Sequence, residues 1–278
     1  MKDFDPLHDI MFRHLFLEDR PQNLLLLLNG LLECEGGDRL TKIQSAYRRL
    51  EYLNNRHSCE MVTILAADKE NRTSLILIAL DPHPESEDYV LPLMLAETEK
   101  VRREHSRISA AGRGIILSSS AYNHYRTSKD KKKPLFHNRQ IEGGHFHLTV
   151  INLFRLTSPF PRRPITPREE WMHFLNYADI YLRAEPTYSL PSFLTGNIAP
   201  VWSAYQQDCK KEQLYWRIEE YTRACLDENT RLDDAIKRAR KAGKKEAGKF
   251  LREELGALGL DKRALDTLIS PFITQKDP

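Results

Sequence analysis

Cysteine is sparse in this chain. Cys34, Cys59, Cys209 and Cys225 form no C-x-x-C pair, and none has a histidine at zinc-finger spacing. That pattern argues against a disulfide framework and a structural zinc module, and leads us to expect reduced thiols in a cytosolic protein. Long apolar runs are missing too. The longest, "LLLLLNGLL" at 24–32, is far short of the ~20 residues a membrane helix needs, so a buried helix is expected and no membrane partner. The opening "MKDFDPLHDIMFRHLF" carries acids where a signal peptide is basic and then apolar. The sequence has no G-x-x-x-x-G-K-[ST], G-x-G-x-x-G or G-x-S-x-G, so nucleotide-binding and hydrolase-elbow chemistry lack support. Strong charge imbalance is also absent: the formal net charge is +3, so any basic surface must be local.

What is present is an alternation of helical and strand patterns. "DPLHDIMFRHLFLEDRPQNLLLLLNGLLECEGG" reads as two helices. Asp5 is placed to cap the first, with Pro6 in its first turn, and Leu7, Ile10, Met11 and Leu15 recur at helical spacing. Pro21 is placed to open the second, and "EGG" at 35–37 to close it. "YVLPLMLAETEKVRREHSRISAAGRG" reads as a helix ending at Gly112 or Gly114, "GIILSSS" as a short buried strand and "HFHLTVINLFRL" as another. Helices on a small mixed sheet give an α/β or α+β core. After the proline-rich "PRRPITPREEW", a linker signal, the pattern is helical: Pro167 to about Leu182, then Val201 to about Asp227, then a charged tail. We therefore divide the chain into a core (1–160), a helical region (161–228) and a helical tail (229–278).

Between the second and third helices, residues 61–66 and 74–80 are β-rich apolar runs around the polar "DKENR". A turn centred between Glu70 and Asn71 pairs Thr63 with Ile78. It puts Met61, Thr63 and Leu65 on one face with Ile76, Ile78 and Leu80. Both faces are apolar, which predicts strands covered on both sides.

Several segments resemble, in order, the Rpn-type recombination-promoting nucleases, also called the PD-(D/E)xK nuclease family transposases. Asp9, Phe12, Arg13 and Phe16 match the family's D-x-x-F-[KR]-x-x-F opening, and Asn29 its asparagine near the end of a leucine-rich helix. "PLFHNRQ" with "INLFRL" is similar to its histidine-containing segment and closing strand, "EEWMHFL" to its tryptophan element, and the tail to its charged, glycine-punctuated end. The resemblance implies a bacterial protein with a restriction-endonuclease-like core that cuts DNA with Mg²⁺. It further implies an Asp on one hairpin strand and, about ~15 residues on, Glu-x-Gln or Glu-x-Lys on the next. The carboxylates of such a site hold the metal, which polarises phosphate and activates water.

In the register just given those positions are Thr63, Ile78 and Leu80. A hydroxyl and two alkyl groups offer little to a hard cation, so the expectation is an impaired or inactive nuclease-like protein, with no cofactor unless it is active. Such a protein can bind DNA, self-associate or pair with an active relative. A second expectation is an active endonuclease with its carboxylates moved to Glu60 and Asp81, which the same register pairs. A third is a protein-interaction module acting through the helical tail. Asp68 and Glu70 read as solvated turn residues, and Glu97, Glu99 and Lys100 as an exposed helix face. His145 and His147 read as paired surface histidines without a third zinc ligand, and His137 as structural. Two basic clusters are the candidate DNA contacts: Lys131, Lys132 and Lys133 beside Lys129, and Lys237, Arg238, Arg240, Lys241, Lys244 and Lys245 running on to Lys249 and Arg252. On a helix the second cluster wraps the circumference, which suits non-specific, salt-sensitive binding.

Overall fold

A computed structural model describes residues 5–54, 57–80, 87–105, 108, 112–118, 134–141, 146–159, 165–184, 191–242 and 253–257. The chain divides into two compact units, Met1–Leu50 with Cys59–Leu214, and Glu51–Ser58 with Tyr215–Pro278.

Most of the first unit is a mixed six-stranded sheet flanked by helices, with the ends of two strands, past Leu50 and before Cys59, counted to the second. Its strands are β1 (Leu40–Asn54), β2 (His57–Asp68), β3 (Thr73–Leu80), β4 (Gly112–Ser118), β5 (Phe136–Ile141) and β6 (Phe146–Asn152), in the order β1-β2-β3-β4-β6-β5. β2 and β3 run antiparallel, β3–β4 and β4–β6 parallel, and β5–β6 antiparallel. Parallel neighbours need a crossover, and helix α3 (Glu87–Glu104) supplies it between β3 and β4. The expected α+β class is thus present with two strands more than the sequence pattern gave. β1 lies in a polar stretch without alternation, and β5 is a half-exposed edge strand.

At the N-terminus Asp5 Oδ1 accepts from Leu7 N at 2.8 Å, and helix begins at α1 (Asp9–Phe12), which widens into a π turn at Arg13–Leu17. Pro21 does open α2 (Pro21–Leu31), where its missing N–H costs nothing. α2 stops at Leu31, earlier than "EGG" suggested, because Glu33 takes a left-handed φ of 50°. Asn29 then pins the next strand. Its side-chain Nδ2 donates to Leu40 O and its Oδ1 accepts from Leu40 N, both at 2.9 Å.

α3 also ends earlier than expected, at Glu104, and Gly112 and Gly114 belong to β4. They are glycines because the Phe146 ring lies across them: a Cβ at either would stand 2.9 or 2.7 Å from that ring.

Helices α4 (Pro167–Ala184) and α5 (Ala199–Asp208) belong to the same unit as the sheet. α4 starts with a reciprocal cap: Thr166 Oγ1 accepts from Glu169 N at 3.2 Å, and Glu169 Oε2 from Thr166 N at 3.1 Å. α4 meets α2 at Gly30, where a Cβ would fall 2.1 Å from the Trp171 indole. Phe12, Phe16, Trp171 and Phe174 form a buried aromatic chain at that junction. The motif residues Phe12, Phe16, Asn29 and Trp171 are therefore accounted for by packing and strand anchoring.

The expected long helix from Val201 to Asp227 is instead two, broken at Cys209–Lys211. The second, α6 (Glu212–Ala242), runs on through the second unit. No helix among the described residues is long and apolar enough to cross a membrane. Cys34, Cys59 and Cys209 form no disulfide.

Candidate functional site

The hairpin register departs by one residue from the one its sequence suggested. Thr63 faces Leu77 and Val62 faces Ile78, so the turn is centred on Glu70. The cause is a loop with an odd residue count between Asp68 and Arg72. Asp68 Oδ1 accepts from Glu70 N at 2.8 Å and Arg72 N at 3.0 Å, Oδ2 accepts from Arg72 Nε at 2.7 Å, and Asn71 closes the turn with φ 59°. A one-residue slip turns every side chain to the other face. Residues sharing Thr63's face are therefore Leu75, Leu77 and Ala79, while Ile78 and Leu80 lie behind the sheet with Glu60. The positions corresponding to the expected Asp/Glu-x-Gln pattern become Thr63, Leu77 and Ala79. All three have no exposed surface.

This face lies under α3. Leu77 aligns with Gly114 in parallel register, and Thr98 of α3 comes within 3.2 Å of a Cβ placed on the neighbouring Gly112. The preceding residue of that helix, Glu97, is the unexpected feature. The sequence pattern put it on an exposed charged face with Glu99 and Lys100. The latter two are exposed, but Glu97 is 2% exposed. Its Oε2 accepts from Arg49 Nη1 at 2.5 Å and its Oε1 from Tyr47 Oη at 2.8 Å, both from β1. Burial of the hydroxyl end, then the Glu97 carboxylate beside it, push the Tyr47 phenol up to about 12, with the Thr63 hydroxyl and Arg49 pulling the other way. Thr63 Oγ1 is itself buried and makes no hydrogen bond of ordinary geometry. Because β1 was not expected, neither were its Tyr47 and Arg49. The available signal was the aromatic and basic "YRR" at 47–49.

Can these residues hold a divalent cation? Mg²⁺ asks for several oxygen ligands at short range. Leu77 and Ala79 provide none. Among the described residues the carboxylate at this face is Glu97, and each of its oxygens is engaged by a donor, one of them a guanidinium that a metal would have to displace. The residues do not fit the ion.

The alternative pair fares differently from its expectation. Glu60 is aligned with Leu80 and not with Asp81, and Asp81 is outside the described residues. Glu60 points away from Thr63's face and carries an ion pair from Arg48 Nη1 at 2.8 Å. Desolvation raises its pKa, against the pull of Arg48. Among the described residues no three His, Cys, Asp or Glu side chains converge to hold a metal. His147 is exposed on β6 and His137 half-buried on β5, while His145 is outside the described residues.

Of the basic clusters, Lys129, Lys131, Lys132 and Lys133 also fall outside the described residues, as do Lys244, Lys245, Lys249 and Arg252. Lys237, Arg238, Arg240 and Lys241 are on α6, and Arg238 is exposed with an ion pair to Glu254 at 3.7 Å. Comparison with protein-family profiles, with curated proteins and with solved structures finds no match to this chain.

Proposed function

We propose that this chain is a nuclease-fold protein of the Rpn type that has given up metal-dependent cleavage and acts by binding DNA. One observation carries the reading. The face where the metal-binding pattern belongs holds Thr63, Leu77 and Ala79, fully buried, and the carboxylate beside them among the described residues, Glu97, is tied to Arg49 and Tyr47. An alkyl face of this kind is well suited to a stable core and unsuited to polarising a phosphate. The small mixed sheet, entered by helices and crossed by α3, is the kind of core that the resemblance implies.

DNA contact is assigned to the basic end of α6. Four cations in five residues, 237–241, stand near the end of α6, and the basic run continues in the sequence to Arg252. Phosphate neutralisation by such a run is sequence-independent and weakens steeply with salt.

The test joins two assays on purified full-length protein. Plasmid is incubated with Mg²⁺ or Mn²⁺, beside Asp81→Ala, and a labelled duplex is titrated at low and physiological salt. The expected result is intact plasmid with both proteins, and duplex binding that salt abolishes. Cleavage by the wild type that Asp81→Ala removes would mean the carboxylates have moved, and the reading fails. In calorimetry, the variant Thr63→Asp/Leu77→Glu/Ala79→Gln should gain a Mn²⁺ site the wild type lacks. The variant Thr63→Asp/Ile78→Glu/Leu80→Gln should gain none, since its residues lie on both sides of the sheet.

A further inference from the structure

A cavity of about 490 Å³ opens where the end of α2 meets the start of α4, on the first unit and well separated in sequence from the hairpin. Its apolar wall is Leu26, Gly30, Pro167 and Trp171. Gly30 lets the indole approach the α2 backbone, so the wall is held by close packing and needs no ligand to form. The volume is in the range of small-molecule sites.

The charge of the rim decides what such a space prefers. The charged residues lining it are Glu33, Glu35, Glu170 and Arg39. Glu33 is ion-paired at 3.0 Å with Arg168, whose own surface is 4% exposed. Glu170 accepts from Asn197 Nδ2 at 2.8 Å, and a neutral amide leaves its charge in place. Glu35 is exposed on the turn after α2. Two carboxylates therefore remain against the single guanidinium of Arg39. A helix N-terminus often attracts anions, but α4 presents an occupied one here. Thr166 and Glu169 satisfy each other's amides, and Glu169 and Glu170 add negative charge in the first turn.

We propose that this cavity is a binding site for a small organic cation with an apolar body. The body rests on Leu26, Pro167 and Trp171, and the cationic head meets Glu35 and Glu170. The site is independent of the hairpin face and of DNA binding.

Calorimetric titration of the full chain with 2-phenylethylamine and with 2-phenylethanol tests this. The two differ chiefly in charge. The amine is expected to bind about tenfold tighter than the alcohol, a difference of about 1.4 kcal/mol, the scale of an ion pair near a protein surface. Glu35→Gln/Glu170→Gln should remove that preference while circular dichroism and the melting temperature stay close to wild type. Arg39→Gln should strengthen amine binding. The proposal is overturned if amine and alcohol bind alike, if the amine gives no saturable heat at millimolar concentration, or if the glutamine variant binds it unchanged.

Discussion

Replacing Glu97 with leucine separates a structural carboxylate from a functional one. Glu97 is almost fully buried and accepts two hydrogen bonds, from Arg49 at 2.5 Å and Tyr47 at 2.8 Å. Hydrogen bonds to a charged group contribute roughly 1.5–3 kcal/mol each. The donors are not wholly lost on mutation, because the Arg49 side chain is 28% exposed and can turn to water. The new leucine buries apolar surface worth about 1.5 kcal/mol or more. The balance is a net loss of about 2 kcal/mol, below the ~3–5 kcal/mol for breaking a fully buried pair. In a unit of this size that lowers the melting temperature by roughly 4–8 °C. Adding Arg49→Met removes the stranded guanidinium, so Arg49→Met/Glu97→Leu should recover to within about 1 kcal/mol of wild type. Urea unfolding followed by tryptophan fluorescence measures both, with Trp171 and Trp202 reporting on the first unit. A carboxylate kept for catalysis behaves in the opposite way: its removal stabilises the fold. If Glu97→Leu raises stability, or if the double variant is worse than the single, the account of this face is wrong.

Two further outcomes test the packing. Gly30→Ala places a methyl 2.1 Å from the Trp171 indole, so overpacking of about 1–3 kcal/mol outweighs the ~1 kcal/mol that alanine adds to a helix. The melting temperature should fall, and the penalty should vanish in a Trp171→Ala background. Asp208, at the end of α5 with no exposed surface, is held by Arg20 at 2.5 Å and Lys211 at 2.7 Å. Burial pushes its pKa up, but those hydrogen bonds and the nearby cations bring it below the ordinary carboxylate value. A lowered folded-state pKa gives stability that is present above the unfolded value, near 4, and lost as pH falls through the folded one. Asp208→Asn should therefore cost stability at pH 7 and flatten its acid dependence below pH 4, as urea midpoints across that range will read.

Local chemistry made a good part of this molecule legible from its residues. Pro21 opens α2 because its fixed φ and missing N–H suit a first turn, and Pro167 starts α4 for the same reason. The apolar strands on either side of "DKENR" are buried on both faces as their composition demands. Less legible were elements whose pattern is set by partners far away in sequence. β1 is polar because most of its described residues are exposed, and it exists because the edge of β2 and the Asn29 amide hold it. Gly112 and Gly114 read as helix stops, but a ring more than thirty residues away explains them.

The hairpin separates the two kinds of information most clearly. The amino-acid sequence by itself determines that no acidic residue lies in β3, since "TSLILIAL" has none in any register. Whichever way the strand turns, it presents no carboxylate. Tertiary structure alone decides which residues share a face with Thr63, because one residue in the turn moves every side chain across the sheet. Through Asp68 and Asn71 it brings Leu77 and Ala79 beside Thr63, and through the docking of α3 on β1 it buries Glu97 between Arg49 and Tyr47. A side chain's chemical type is a local property. Its face and its partners depend on how distant parts of the chain close around it.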